Sequence, residues 1–197
     1  MSLTNSAAAV TTAHRSGAVG GFFAIGIFLG SYLLFVVQPL IARFILPWFG
    51  GAPATWTVCM LFFQTLLLGG YAYAHFLHRR LAGIRQQFVH VGMVLLSLLT
   101  LPVIPDEGWK PPGAEAPEIR ILLLLLVTVG FPYFLLAASS PLLQAWYVQA
   151  LPGCGNPYRL FALSNAGSLL ALLGFPFLVE PLLSSNAQAA AWSVAYG

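Results

Sequence analysis

The sequence predicts an all-α protein, a bundle of helices that crosses a membrane several times. Of its 197 residues, 59% are hydrophobic and only 7% are Asp, Glu, Lys or Arg, whereas soluble domains carry about 25% charged residues. The apolar residues form long runs, which are separated by short stretches rich in Pro, Gly or charge. So little charge cannot cover a water-facing surface. This excludes a soluble enzyme domain, a disordered chain and a disulfide-linked secreted module.

Five apolar runs reach or approach the length that crosses a bilayer, which is about 20 residues. They cover residues 18–46, 54–77, 88–104, 119–148 and 158–179. The turn 47–53 ends the first run, and Pro132 and Pro141 interrupt the fourth. A sixth helix begins near Ala187. The predicted organisation is a segment over residues 1–17, a five-span bundle over 18–186 and an incomplete sixth span over 187–197, as in a fragment of a longer design.

The distribution of Arg and Lys predicts the orientation of the bundle. Arg15, Arg159 and the arginines of loop 78–87 fall on one side, whereas segment 105–118 holds one Lys and four of the five acids. Cytoplasmic loops are enriched in positive residues, so we expect the N-terminus in the cytoplasm and segment 105–118 outside. The net charge of +3 is too small and too scattered to indicate a nucleic-acid partner.

The chain also resembles itself at an offset of about one hundred residues. Residues 38–43 (QPLIAR) and 46–53 (LPWFGGAP) correspond to 140–145 (SPLLQA) and 151–157 (LPGCGNP). Because each copy contains three spans, the second copy is inverted relative to the first. Inverted three-helix repeats build the six-helix halves of major-facilitator transporters, so the predicted bundle is a major-facilitator-like half. The alternative is that Pro-Leu and Leu-Pro pairs recur by chance at helix ends.

Several longer motifs resemble the N-terminal membrane region of bacterial fused MFS/spermidine synthase-like proteins, over about residues 30–181. The motifs are 35–43 (FVVQPLIAR), 46–51 (LPWFGG), 56–64 (WTVCMLFFQ), 70–75 (GYAYAH), 140–146 (SPLLQAW), 163–172 (LSNAGSLLAL) and 176–181 (PFLVEP). In that family a facilitator-like bundle is joined to a soluble aminopropyltransferase-like domain. The resemblance implies a module of the bacterial inner membrane, engaged in transport or channelling linked to polyamine-type chemistry, with a domain of that kind as its partner.

The catalytic part of that family is not contained in these residues. The Gly-rich turn that binds a nucleoside needs Gly-x-Gly-x-x-Gly after a strand, and the nearest run, 153–155, lies between spans and lacks the third Gly. No cluster of acids is present to hold a polyamine. We therefore predict no catalytic residues and no cofactor, and we assign no enzyme activity. Two alternatives stay open: a non-catalytic structural or accessory subunit of a larger membrane complex, and a membrane enzyme whose site lies in other sequence.

Polar side chains inside apolar spans are the candidate site residues, because such groups are costly in a membrane. Arg43 and Glu180 both fall near the outer ends of their spans, so we expect them to approach within about 4 Å or through one water. The alternative is that each reaches the lipid headgroups independently. We expect Pro181 to hold Glu180 in an extended conformation. Among the uncharged groups we single out Gln38, Gln144 and Asn165, the two glutamines as candidates to line a cavity beside Pro39 and Pro141, where we expect the helices to break or bend.

The remaining motifs predict packing rather than chemistry. His75 and His78 share a helix face, but the sequence offers no third metal ligand nearby, so we predict interfacial anchoring and no metal site. Cys59 and Cys154 fall on opposite sides of the membrane and cannot form a disulfide. Gly17, Gly21, Gly26 and Gly30 give two Gly-x-x-x-Gly spacings, which predict close helix packing in the first span.

Overall fold

A computed structural model describes residues 3–111, 117–151 and 157–197 of the chain, with side chains described from Gly17 onward except those of Ala18 and Pro157. Within these stretches every regular element is a helix. The all-helical prediction is therefore confirmed for the described chain. Cys154 and residues 112–116 of the acidic segment 105–118, which include Gly113, lie outside the described residues.

Eight α-helices follow one another in the three described stretches. They are α1 (Leu3–Phe49), α2 (Pro53–Arg80), α3 (Ile84–Ser97), α4 (Glu118–Leu125), α5 (Phe131–Ala150), α6 (Pro157–Gly174), α7 (Glu180–Leu182) and α8 (Ser185–Tyr196). Two 3₁₀ turns, Leu98–Thr100 and Glu107–Trp109, lie between α3 and α4. Two π-helical segments, Leu126–Gly130 and Phe175–Val179, join α4 to α5 and α6 to α7.

Four stretches are long and apolar enough to cross a membrane. They are Val19–Phe49, Pro53–Arg80, Glu118–Ala150 and Tyr158–Leu182. They correspond to the first, second, fourth and fifth predicted spans, each of which ends two or three residues later than predicted. A multi-pass membrane protein is thus supported by length and composition.

The third predicted span, residues 88–104, is wrong as a continuous helix of membrane length. The helix begins earlier, at Ile84, and helical structure ends at Thr100. Pro102 lacks an amide donor and favours an extended residue before it, and Leu101 is indeed extended, with φ −85° and ψ 152°. Seventeen helical residues rise about 25 Å. Residues 101–104 do not continue as a straight segment, since the chain bends at Pro102 and the Ile104 amide donates to the Pro102 carbonyl at 2.8 Å.

The helix breaks expected at Pro39 and Pro141 do not occur, while a bend at either proline stays a prediction. Both prolines lie inside continuous α-helices, α1 and α5. The irregular turns occur instead at the two π-helical segments. One directly precedes the turn that contains Pro132, and the other contains Pro176. A proline ring clashes with the carbonyl four residues earlier, and a wide π turn relieves that clash.

The span formed by α4 and α5 is the most enclosed in the bundle. In the most apolar 18-residue stretch of this span 67% of the residues are buried, against 17–28% in the corresponding stretches of the other three spans. Helix α5 packs against α1, α2 and α3, whereas α1 packs against α5, α6 and α8. The main core includes Val37 and Leu40 of α1, Leu125 of α4 and Tyr133 of α5, which are almost fully buried.

Two glycines allow the closest helix contacts in the described bundle. A Cβ atom on Gly70 of α2 would lie 2.6 Å from the Ala137 Cβ atom of α5, and one on Gly167 of α6 would lie 2.7 Å from the Phe28 carbonyl of α1. The expectation for the glycines of the first span is wrong, because a Cβ atom at Gly17, Gly21 or Gly30 would meet nothing within 4 Å and one at Gly26 would make only an ordinary contact. Helix spacing in this bundle is therefore set at Gly70 and Gly167.

Candidate functional site

A partly open cavity of about 450 Å³ lies between α1, α2 and the irregular end of the fifth span. Its wall is mostly apolar and contains three aromatic rings, those of Trp56, Phe63 and Phe175. The polar and charged groups in the wall are Gln38, Arg43 and Glu180. A cavity of this size and composition, largely apolar with a few polar groups, is typical of small-molecule sites.

Arg43 and Glu180 meet at this cavity. The Arg43 Nε and Glu180 Oε1 atoms are 3.9 Å apart, which lies within the expected approach of about 4 Å. The Arg43 Nη1 atom also donates to the backbone carbonyls of Glu180, at 3.3 Å, and Leu183, at 3.4 Å. The guanidinium therefore caps carbonyls that lack a helical donor at the end of α7. The side chains are 29% and 48% exposed, so their charges remain available to a ligand.

Glu180 reaches Arg43 because of the irregular turn before it. Pro176 cannot donate to the helix, and the π-helical segment around it delivers Glu180 as the first residue of α7. The predicted extended conformation of Glu180 is wrong, since its φ of −65° and ψ of −45° are helical. Pro181 occupies the first turn of α7, where a missing amide proton is not needed.

Gln38 lies one turn before Arg43 on α1 and contributes a neutral polar group to the cavity. Its Nε2 atom donates to the Tyr133 hydroxyl of α5 and to the Leu34 carbonyl, both at 3.4 Å. These bonds are long, while the amide side chain is only half-buried. The amide is thus anchored to the neighbouring central helix and also faces the cavity.

Gln144 is not among the lining residues of this cavity. Its Nε2 atom donates to the Ser140 hydroxyl at 3.2 Å, and Ser140 lies 3.5 Å from Ser164, which in turn bonds Ser31 at 2.7 Å. These hydroxyls connect α5, α6 and α1. Gln144 itself bonds within α5 and, contrary to the prediction, does not share this cavity with Gln38.

Asn165 is exposed on the outer face of α6, and Gln64 is exposed on the outer face of α2. Both amides therefore point away from the bundle core, whereas polar groups within spans usually bond to a neighbouring helix. The structure does not bring Asn165 to the cavity.

The two histidines at the end of α2 differ in their surroundings. His78 Nδ1 is 3.2 Å from the Gln86 Oε1 atom of α3, and His75 is exposed. Within the described stretches, no group of three or more His, Cys, Asp or Glu residues is arranged to hold a metal ion.

Sequence reasoning missed the α2 wall of the cavity. Trp56, Cys59 and Phe63 recur at a spacing of three and four residues, which places them on one helix face. This pattern could have indicated the lining, but in a span rich in apolar residues the same spacing also marks an ordinary core face. Cys59 lies 8% exposed in this wall as a free thiol.

Comparison with known proteins gives no relative from which a role could be transferred. No protein-family model matches the chain, and no significant match was found among curated proteins or solved structures.

Proposed function

We propose that this chain is a facilitator-like module of the bacterial inner membrane that takes a small organic molecule into the cavity beside Arg43 and Glu180. The observation that carries the proposal is the cavity itself. It combines about 450 Å³ of space with a cation, a carboxylate and an amide inside an otherwise apolar bundle. Ionisable groups in such positions are costly and commonly mark substrate pathways.

The packing of the helices supports the facilitator-like part of the proposal. If the first three spans correspond to the last three, then α1 corresponds to α5, α2 to α6 and α3 to α8. The contact between α1 and α6 then corresponds to the contact between α5 and α2. The contact between α1 and α8 corresponds to the contact between α5 and α3. All four helix pairs are in contact. An inverted repeat predicts such a relation.

Polyamines are the first ligands to test, on the basis of the motifs shared with fused MFS/spermidine synthase-like proteins. The cavity offers features that suit an ammonium group. Glu180 supplies a carboxylate that is 48% exposed, and the Trp56 ring lies in the same wall. Aromatic faces attract organic cations. A polyamine would compete with Arg43 for Glu180, so binding would open the ion pair.

Uptake into proteoliposomes tests this function. We expect radiolabelled spermidine to accumulate in vesicles that contain the chain, above the level in empty vesicles. We expect Glu180→Gln to reduce the uptake at least several-fold, whereas Asn165→Ala, which alters an exposed amide away from the cavity, serves as the matched control and leaves it unchanged. Uptake equal to that of empty vesicles, or equal loss in both variants, would reject the proposal.

A structural or accessory subunit of a larger membrane complex is the second candidate. It is favoured by the exposed amides Gln64 and Asn165 and by the low burial of the fifth span, of which only 17% is buried. Amides within spans stabilise helix association through hydrogen bonds. Loss of a co-purifying membrane partner on Asn165→Ala, with no ligand binding in the cavity, would favour this second function.

A further inference from the structure

A crevice of about 200 Å³ lies between α2 and α5, close to the ends of both helices. Its α2 wall contains Tyr71, His75 and His78, and its α5 wall contains Pro141 and Ala145. The cavity described above lies near the start of α2, and the 28 residues of this helix rise about 42 Å. The crevice is therefore a separate feature, and we refer to it as the α2–α5 crevice.

A line of exposed side chains follows α2 through this crevice. Leu68, Tyr71, His75 and Arg79 are separated by three or four residues, which places them on one face of the helix. All four are exposed, and Leu68 is 69% exposed. Over a rise of about 17 Å the line passes from an aliphatic side chain through a phenol and an imidazole to a guanidinium. A membrane phospholipid has the same order of chemistry, from its acyl chain to its phosphate.

The positive charge at this end of α2 has no carboxylate partner. Arg79, Arg80 and Arg85 belong to segment 78–87, which contains no Asp or Glu. No carboxylate of the described residues lies within ion-pair distance of these arginines. The Arg80 guanidinium lies 4.8 Å from the centre of the Phe76 ring, one turn back along the helix. Arg79 is therefore the cation on the face of the α2–α5 crevice.

The polar groups beside Arg79 are free to bind a ligand. The Tyr71 hydroxyl and the His75 ring form no hydrogen bond with another described residue, whereas His78 is held by the Gln86 amide at 3.2 Å. Residues four apart on a helix have Cβ atoms about 5–6 Å apart, so His75 and Arg79 can reach one group. A phosphate oxygen suits both, because a neutral imidazole has one N–H donor and a guanidinium binds phosphate through two parallel donors.

We propose that the α2–α5 crevice binds the phosphate of an anionic phospholipid, with His75 and Arg79 as donors and an acyl chain lying along Leu68. Basic pockets between membrane helices bind the headgroups of acidic lipids. A free phosphate would use the same donors but would leave the apolar end of the line without a partner, so the lipid fits the whole face. The orientation predicted from the sequence places this end at the cytoplasmic leaflet, whose acidic lipids attract basic segments.

Thermal denaturation in nanodiscs of two compositions tests the proposal. We expect the melting temperature of the chain to be about 3 °C higher in equal parts of phosphatidylglycerol and phosphatidylcholine than in phosphatidylcholine alone, because a ligand of the folded state stabilises it. We expect Arg79→Gln to remove at least half of this increase. Arg159→Gln is the matched control, because it removes the same charge from an exposed position outside the crevice wall, and it should keep the increase. No increase in the unmodified chain, or equal loss in both variants, would overturn the proposal.

Two further measurements need no change in the protein. Inorganic phosphate added to the nanodiscs of phosphatidylcholine should leave the melting temperature unchanged, and an increase equal to that with phosphatidylglycerol would identify a free phosphate as the ligand and overturn the lipid proposal. In native mass spectrometry of the chain purified with both lipids, we expect phosphatidylglycerol to be retained at least several-fold more than phosphatidylcholine. Equal retention would overturn the proposal even if Arg79→Gln lowers the melting temperature.

Discussion

Two polar regions of the bundle differ in charge and in access. The cavity beside α1 and α2 is partly open and contains both charges of the Arg43–Glu180 pair. The aromatic cluster of Tyr73, His90 and Trp146 between α2, α3 and α5 is more enclosed, with His90 4% and Trp146 7% exposed, and its polar atoms are those of neutral side chains. The difference follows from the cost of desolvation. Charged groups occur where the wall stays open and backbone carbonyls are at hand, whereas the polar atoms of the enclosed region belong to uncharged side chains.

Helix α2 contributes to both regions, and its contact with α5 seals one of them. Gly70 lies one turn before Tyr73 and lets the two helices approach closely. Near the other end of α2, Trp56 and Phe63 face the cavity. The enclosed cluster therefore depends on close helix packing at Gly70, and the cavity is a region in which the helices are less closely packed.

The largest effect is expected from Gly70→Ala. The added Cβ atom would lie 2.6 Å from Ala137 Cβ and 2.8 Å from the Phe134 carbonyl, so α2 and α5 must separate. Overpacking of this kind costs about 1–3 kcal/mol. The adjacent Gly69→Ala is the matched control, because its Cβ atom would lie 3.5 Å from the Phe134 ring. We expect the melting temperature to fall for Gly70→Ala only. Equal melting temperatures for the two variants would contradict the role of Gly70 in the close packing of α2 against α5.

A smaller effect is expected from Arg43→Ala at the cavity. This change removes the ion pair and the two bonds to the carbonyls of Glu180 and Leu183. Because the site is partly exposed, we expect the free energy of unfolding to fall by about 1–2 kcal/mol. Arg43→Lys keeps the charge but not the planar arrangement of donors, so we expect its melting temperature to lie between those of Arg43→Ala and the unmodified chain. A melting temperature of Arg43→Lys at or below that of Arg43→Ala would contradict the capping role.

The smallest effect on stability is expected from Glu180→Gln. The two backbone bonds of Arg43 remain, and a half-exposed ion pair contributes about 0–1 kcal/mol. We expect a melting temperature within about 3 °C of the unmodified chain. A loss as large as that of Arg43→Ala would mean that the carboxylate, and not the backbone carbonyls, holds the helix ends together.

The sequence was sufficient to predict the helices and the Arg43–Glu180 contact, because both depend on long apolar runs and on the order of spans. It was not sufficient to predict the third span, where Pro102 ends the helix short of the predicted residue 104. It misplaced the irregular turns as well. A proline removes one hydrogen bond wherever it occurs, but Pro39 and Pro141 are accommodated within continuous helices while π turns form beside Pro132 and Pro176.

The two polar regions themselves required three-dimensional information. Tyr73, His90 and Trp146 come from three separate helices, and their separations in sequence have no periodic pattern. Gln144 and Asn165 have the same polar character as Gln38, yet one bonds within its own helix and the other is exposed. Rotation of each helix about its axis decides these outcomes, and a span that is apolar on all sides gives little indication of that rotation.

Cysteine labelling of the cavity tests the central proposal, that it holds a small molecule, together with the predicted orientation, in which the cavity opens on the outer side. In a chain with Cys59→Ser and Cys154→Ser, Ala42→Cys places a thiol in the cavity wall, and Ala52→Cys places one in the exposed turn before α2. With an impermeant thiol reagent added to spheroplasts, we expect both positions to react and spermidine to slow the reaction at Ala42→Cys alone. No reaction at Ala42→Cys before lysis, or equal slowing at both positions, would contradict the claim.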